Sequence, residues 1–171
     1  MPDQLPPSGI THRVAPPAAA LGDPPAGPPP VALYTGLAEF NAGAYFACHE
    51  TLEAIWMREP APIRRLYQGI LQVGVGFYHL RNGNYRGTLN LLESAAGYLR
   101  DFTPTCLGIA VARLIAEAGA VRAAVVALGP DQLGAFDLTT LPQVYYDPAV
   151  AATAVAPVLP SAADRAGPGH W

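Results

Sequence analysis

Residues 48–53 read Cys-His-Glu-Thr-Leu-Glu, and three of these side chains can do chemistry. His49 and Glu53 are four apart, so on a helix they share a face. An imidazole and a carboxylate at that spacing can hold one divalent metal ion, or hydrogen-bond each other. Glu50 sits about 100° round the helix from His49, within reach as a second carboxylate or a general base. The zinc-protease pattern His-Glu-x-x-His is not met, because Glu53 stands where the second histidine is required. Further along, Gln68, Gln72 and His79 form a second polar set. Gln72 and His79 are seven apart, nearly on one face but about 10 Å apart along a helix axis, so they cannot bind one ion together.

Helices must position these groups, and the chain reads as helix through its centre. The first runs from about Val31 to Phe40 and breaks at Asn41-Ala42-Gly43, where Gly43 suits a left-handed C-terminal position. The second spans about Ala44 to Met57, with Tyr45, His49, Leu52 and Trp56 on one face. The third covers about Ala61 to Arg81 and carries the stripe Leu66, Ile70, Val73 and Phe77. Gly83 stands just past its end, and Asn84 is placed to cap the fourth, about Tyr85 to Phe102. The fifth runs from about Ile109 to Leu128, with Arg113 and Glu117 paired at i, i+4. No alternating β-branched run marks a strand. Short connections make sequential helices antiparallel neighbours. The expected fold is therefore all-α, an up-and-down bundle of about five helices.

A register estimate links the two polar sets. A turn centred near Glu59-Pro60 places His49 level with about Ile70. Gln72 then lies roughly 3 Å off that level and His79 roughly 13 Å off, beside Glu39 and Asn41. Gln72 is the expected partner of His49. The plainer reading stands beside it: such residues on an amphipathic helix are more often a solvated edge or a satisfied hydrogen-bond cluster. For His79 the plainer reading is a core histidine bonded to a backbone carbonyl.

Composition bounds the rest. The chain has 171 residues, about one domain. Ten of its nineteen prolines fall in residues 1–30, an arm expected to be disordered or polyproline-like. Residues 31–141 form the expected folded unit, and 142–171, rich in Pro and Ala, an expected disordered tail. The ten basic residues are all Arg and the net charge is -3, which argues against a nucleic-acid backbone binder. Two cysteines exclude a disulfide scaffold; Cys48 and Cys106 read as small buried side chains. The start Met1-Pro2-Asp3 lacks a secretory pattern, and Arg113, Glu117 and Arg122 interrupt the best membrane-span candidate. A soluble, cytoplasmic protein is the expectation.

Other chemistries find little support. Gly74-Val75-Gly76 sits mid-helix without a third glycine at dinucleotide spacing. Ser8, Ser94 and Ser161 are the only serines, none in a nucleophile elbow. Arg64-Arg65 reads as a solvated helix face. Gly69 and Gly76, seven apart, read as sites of close helix approach, within the chain or across a homo-oligomer.

Three runs resemble a known family: EFNAGAYFACHETLEAIW (Glu39 to Trp56), QGILQVGVGFYH (Gln68 to His79) and NGNYRGTLNLLE (Asn82 to Glu93). Their order and spacing are similar to those of the prokaryotic domain of unknown function 309, over roughly residues 31–128. The resemblance carries over to Phe40, Asn41, Gly43, Tyr45, His49, Glu50, Leu52, Glu53 and Trp56, then to Gly69, Gln72 and His79, then to Gly83, Asn84 and Gly87. The chain departs from the pattern at Gly74 and Gly76, where alanine-like residues are common. The resemblance implies a small all-helical bundle and no established activity, substrate or cofactor.

Two functional expectations follow. In the first, a metal-assisted hydrolase or other small-molecule enzyme, His49 and Glu53 hold a divalent metal, Gln72 orients substrate or water, and Glu50 is the general base. In the second, a non-catalytic binding or assembly module, His49, Glu53 and Gln72 form a buried hydrogen-bond network that sets helix register. Gln68, His79 and Tyr45 complete the polar cluster in either case.

Overall fold

A computed structural model describes residues 27–156. The expected arm therefore lies almost wholly outside the described residues, as does the tail beyond residue 156. Five long helices follow in order: α1 (Val31–Asn41), α2 (Tyr45–Arg58), α3 (Arg64–Arg81), α4 (Tyr85–Leu99) and α5 (Val111–Leu128). A one-turn α6 (Pro148–Ala151) comes last. Three short 3-10 segments lie between α4 and α6. Among the described residues there is no strand, only isolated bridges.

Consecutive helices pack on one another from α1 to α5, as the short connections require. Gly43 and Gly83 adopt φ of +74° and +75° where α1 and α3 end, a conformation that costs glycine nothing. Asn84 caps α4, its side chain accepting from the Gly87 N–H at 2.9 Å. The α3 stripe Leu66, Ile70, Val73 and Phe77 is fully buried. Phe77 meets Phe40 of α1 and Tyr45 of α2, each with ring centroids 5.7 Å apart.

α3 is the central helix, flanked by α2 and α4. Gly69 and Gly76 allow the close approach to α4. A Cβ on Gly69 would stand 2.6 Å from Leu99, and one on Gly76 would stand 2.8 Å from Leu92. Both glycines thus serve a contact within the chain. Gly36 plays the same part between α1 and α2, against Leu52.

The segment after residue 141 departs from expectation. Residues 142–156 pack on the bundle, and Val144 is buried. Main-chain bonds hold them: Ala110 N–H to Tyr145 O, Asp147 N–H to Gly108 O, and Val31 N–H to Val155 O. These bonds need no side-chain periodicity, which is why the sequence pattern is silent there. No helix among the described residues is long and apolar enough to cross a membrane.

Candidate functional site

Contacts between α2 and α3 establish their register. Tyr45 meets Phe77, Phe46 meets Tyr78, and Trp56 meets Arg64. His49 is therefore level with about Val73, one turn from the expected Ile70. Gln72 remains within about 2 Å of that level.

The helix faces add a condition that axial level alone does not contain. Arg64, Gly74, Tyr78 and Arg81 form the stripe of α3 that turns to α2. Arg65, Gly69 and Gly76 form the stripe that turns to α4. Gln72 lies three residues after Gly69 and four before Gly76, so it sits on the α4 side of α3. Gln68, Val75 and His79 lie between the two stripes, on the outer face.

That outer face is sheltered. No residue from Arg64 to Leu80 is fully exposed, because α2 and α4 rise on either side. The result is a shallow valley. Its floor is Gln68, Gln72, Val75 and His79. His49, Glu53 and Trp56 line the α2 wall, and Tyr98 lines the α4 wall.

His49 is half-buried and stacks on Phe46, with ring centroids 6.4 Å apart and planes 27° apart. Glu53 is half-buried, whereas Glu50 is exposed, as its position 100° from His49 dictates. Among the described residues, no hydrogen bond joins His49, Glu50, Glu53, Gln68 and Gln72 to one another. The closed network of the second expectation is therefore not formed. Nor does any group of three His, Cys, Asp or Glu side chains come close enough to hold a metal ion among these residues.

The valley instead contains unsatisfied polar atoms. Gln72 Oε1 and Trp56 Nε1 are buried without a hydrogen-bond partner. So are the Nε atoms of Arg64 and Arg65 at the α2–α3 turn end. Arg64 stacks on Trp56 at 5.2 Å and Arg65 on Tyr98 at 5.1 Å. These arginines were expected to be a solvated face. Their aromatic partners lie on two other helices, so no spacing in the chain announces the stacking.

The His79 ring faces Asn84, Nδ1 to Nδ2 at 3.1 Å, so a side-chain contact stands where a bond to a backbone carbonyl is expected. The link is local: Asn84 also donates its main-chain N–H to His79 O at 2.8 Å. Tyr45 is buried in the aromatic core, with the Arg81 guanidinium 5.1 Å from its ring centre. Burial pushes its phenol up, and Arg81 opposes this. Arg81 also donates to Gly43 O at 2.9 Å, tying the end of α3 to the α1–α2 turn.

Residues 33–91 match the family model described as a domain of unknown function, DUF309. The match ends within α4, short of the expected residue 128. The chain is similar to the uncharacterized protein YpuF of Bacillus subtilis (strain 168), with 37% identity over 73 residues. That alignment covers 42% of each protein, so the chain spans less than half of this relative's length. No solved structure matches the chain. The stretch that is similar to DUF309, residues 33–91, holds most of α1, all of α2 and α3 and the start of α4, the helices that build most of the valley.

Proposed function

We propose that the valley on the outer face of α3 recognises a small polar molecule carrying a carboxylate, and that the domain is a binding module. The observation that carries this reading is the set of polar atoms lining the valley that no protein group satisfies. A buried polar atom without a partner costs about 1–3 kcal/mol. A small rotation of Gln72 brings its amide to a ligand that repays this. Among the described residues, neither Arg64 nor Arg65 is in an ion pair. Each lies on an aromatic ring, and among the described residues neither guanidinium is in a hydrogen bond, which leaves its terminal N–H groups for a planar carboxylate. His49 and Glu53, on the facing wall, are placed to bond the rest of the molecule.

The metal-assisted alternative has less support. Glu50 points away from His49 and Glu53, and those two side chains would need a third ligand from elsewhere.

The experiment uses tryptophan emission. Trp56 and Trp171 are the two tryptophans, so Trp171→Phe leaves Trp56 as the single reporter. Titration with succinate and with glutamate is expected to give a saturable change. Arg65→Ala and Gln72→Leu should abolish it while leaving the melting temperature high enough for a folded protein. No response to either carboxylate overturns the reading. A response to Zn²⁺ or Mn²⁺ alone that disappears in His49→Ala overturns it in favour of the metal site.

A further inference from the structure

A cavity of about 610 Å³, open to solvent, lies between α5 and the segment that follows it. It is formed wholly by residues beyond 91, outside the family match. Its size falls in the range of small-molecule sites, about 300–1,000 Å³. The apolar part of the lining includes Ala120, Ala124, Phe136 and Leu141. The polar part is Glu117, Thr139, Thr140 and Gln143.

The hydrogen-bond state of the polar part selects a ligand. Thr139 Oγ1 donates to Asp137 Oδ1 at 2.6 Å, and Thr140 Oγ1 donates to Asp137 O at 2.7 Å. Gln143 Nε2 donates to Asn41 O at 3.3 Å. Each hydroxyl proton is engaged, and so is one of the two N–H groups of the amide. The hydroxyl lone pairs and Gln143 Oε1 remain, and these are acceptors. The Thr139 oxygen is a stronger acceptor for donating to a carboxylate. Glu117 adds a further acceptor: Arg113 pairs with its Oε1 at 2.8 Å, while Oε2 is buried without a partner. Arg113 itself lies 3.5 Å over the Tyr145 ring, turned to these two groups. The rim therefore offers more free acceptors than donors.

We propose that this cavity binds a small organic ammonium ion, with its N–H groups on Thr139, Thr140 and Gln143 and its apolar body against Ala120, Ala124 and Phe136. An ammonium has three donors and no acceptor, which is the complement of that rim. A carboxylate would face lone pairs, including the Glu117 oxygen that Arg113 does not bond.

The full-length protein is titrated with cyclohexylammonium, cyclohexanol and cyclohexanecarboxylate, followed by amide chemical shifts in solution. Cyclohexylammonium is expected to bind saturably at millimolar concentration and to shift the Thr139 and Thr140 amides. Cyclohexanol should bind about tenfold or more weakly, and the carboxylate should not bind. Ala124→Phe fills the cavity from an exposed position, so it should remove binding without unfolding the bundle. Thr139→Val removes one acceptor and should weaken binding about tenfold. The proposal is overturned by equal binding of the three probes, by no saturable binding of the ammonium, or by full binding in folded Ala124→Phe. Failure of the α3 valley to bind carboxylates leaves this result untouched, because the two sites share no residue.

Discussion

The side chain of Asn41, the last residue of α1, bonds both main-chain polar groups of Val144. Its Nδ2 donates to Val144 O at 2.9 Å, and its Oδ1 accepts from Val144 N–H at 2.7 Å. One amide thus replaces a strand partner for a residue 103 positions away. It holds the C-terminal segment on the bundle, and that segment forms one wall of the cavity beside α5.

Replacing Asn41 with Ala would leave two sheltered main-chain groups without partners. The expected loss is about 2–3 kcal/mol, read as a lower urea midpoint. Hydrogen exchange at residues 142–147 should accelerate more than exchange in α3. Asn41→Asp keeps the acceptor and loses the donor, so it should fall between the two. An unchanged midpoint in Asn41→Ala would show that the segment is held by its other contacts.

Two glycines of α3 should respond to alanine with opposite sign. A Cβ at position 69 meets Leu99 at 2.6 Å, so α4 must shift or Leu99 must leave its rotamer. Gly69→Ala is expected to cost about 1–3 kcal/mol. A Cβ at position 74 meets Phe40 at 3.4 Å and Cys48 Sγ at 3.8 Å, which is ordinary contact. Gly74→Ala should therefore stabilise by about 0.5–1 kcal/mol, through helix propensity. Thermal melts of the two variants decide it, and a shared sign would contradict the packing described.

Stability should fall in alkali partly through Cys48. Burial, and then the nearby Glu39 carboxylate, push its thiol up from 9.0 to about 12. The folded state keeps the proton longer than the unfolded chain does. The contribution is fully present below pH 9 and is lost as pH rises toward about 12. Cys48→Ala should lower stability at pH 7 yet show a smaller further loss between pH 8 and pH 11. Urea unfolding at the three pH values measures it. An equal loss in both proteins would mean that the thiol keeps no proton advantage on folding.

Asn84 joins the end of α3 to the start of α4. It caps the Gly87 N–H at 2.9 Å and meets His79 Nδ1 at 3.1 Å. Asn84→Ala should cost about 1 kcal/mol, as the loss of an N-cap does. Asn84→Asp keeps the capping oxygen and should recover most of that. Circular dichroism melts give the comparison, and no recovery by Asp would mean that the His79 contact is the larger part.

Local signals in the chain determined the helices and their ends. The spacing of Leu66, Ile70, Val73 and Phe77 specifies a buried stripe, because 3.6-residue periodicity and burial of one face are the same constraint. Gly43, Gly83 and Asn84 end and begin helices through their own backbone and side-chain chemistry, with no distant partner. The pairing of Arg113 with Glu117 at 2.8 Å is equally local.

Tertiary packing alone decided which neighbour covers each face. Axial level brings Gln72 near His49, but the stripe Arg65, Gly69 and Gly76 turns Gln72 toward α4. That choice depends on how closely α4 settles over two glycines, and no spacing within α3 contains it. The same holds for Arg64 and Arg65 on their aromatic partners. The bond between Asn41 and Val144 leaves no trace in the pattern of residues 142–156, because main-chain groups carry no sequence signature. Helix periodicity records only that a face is buried, and three-dimensional contact decides against what.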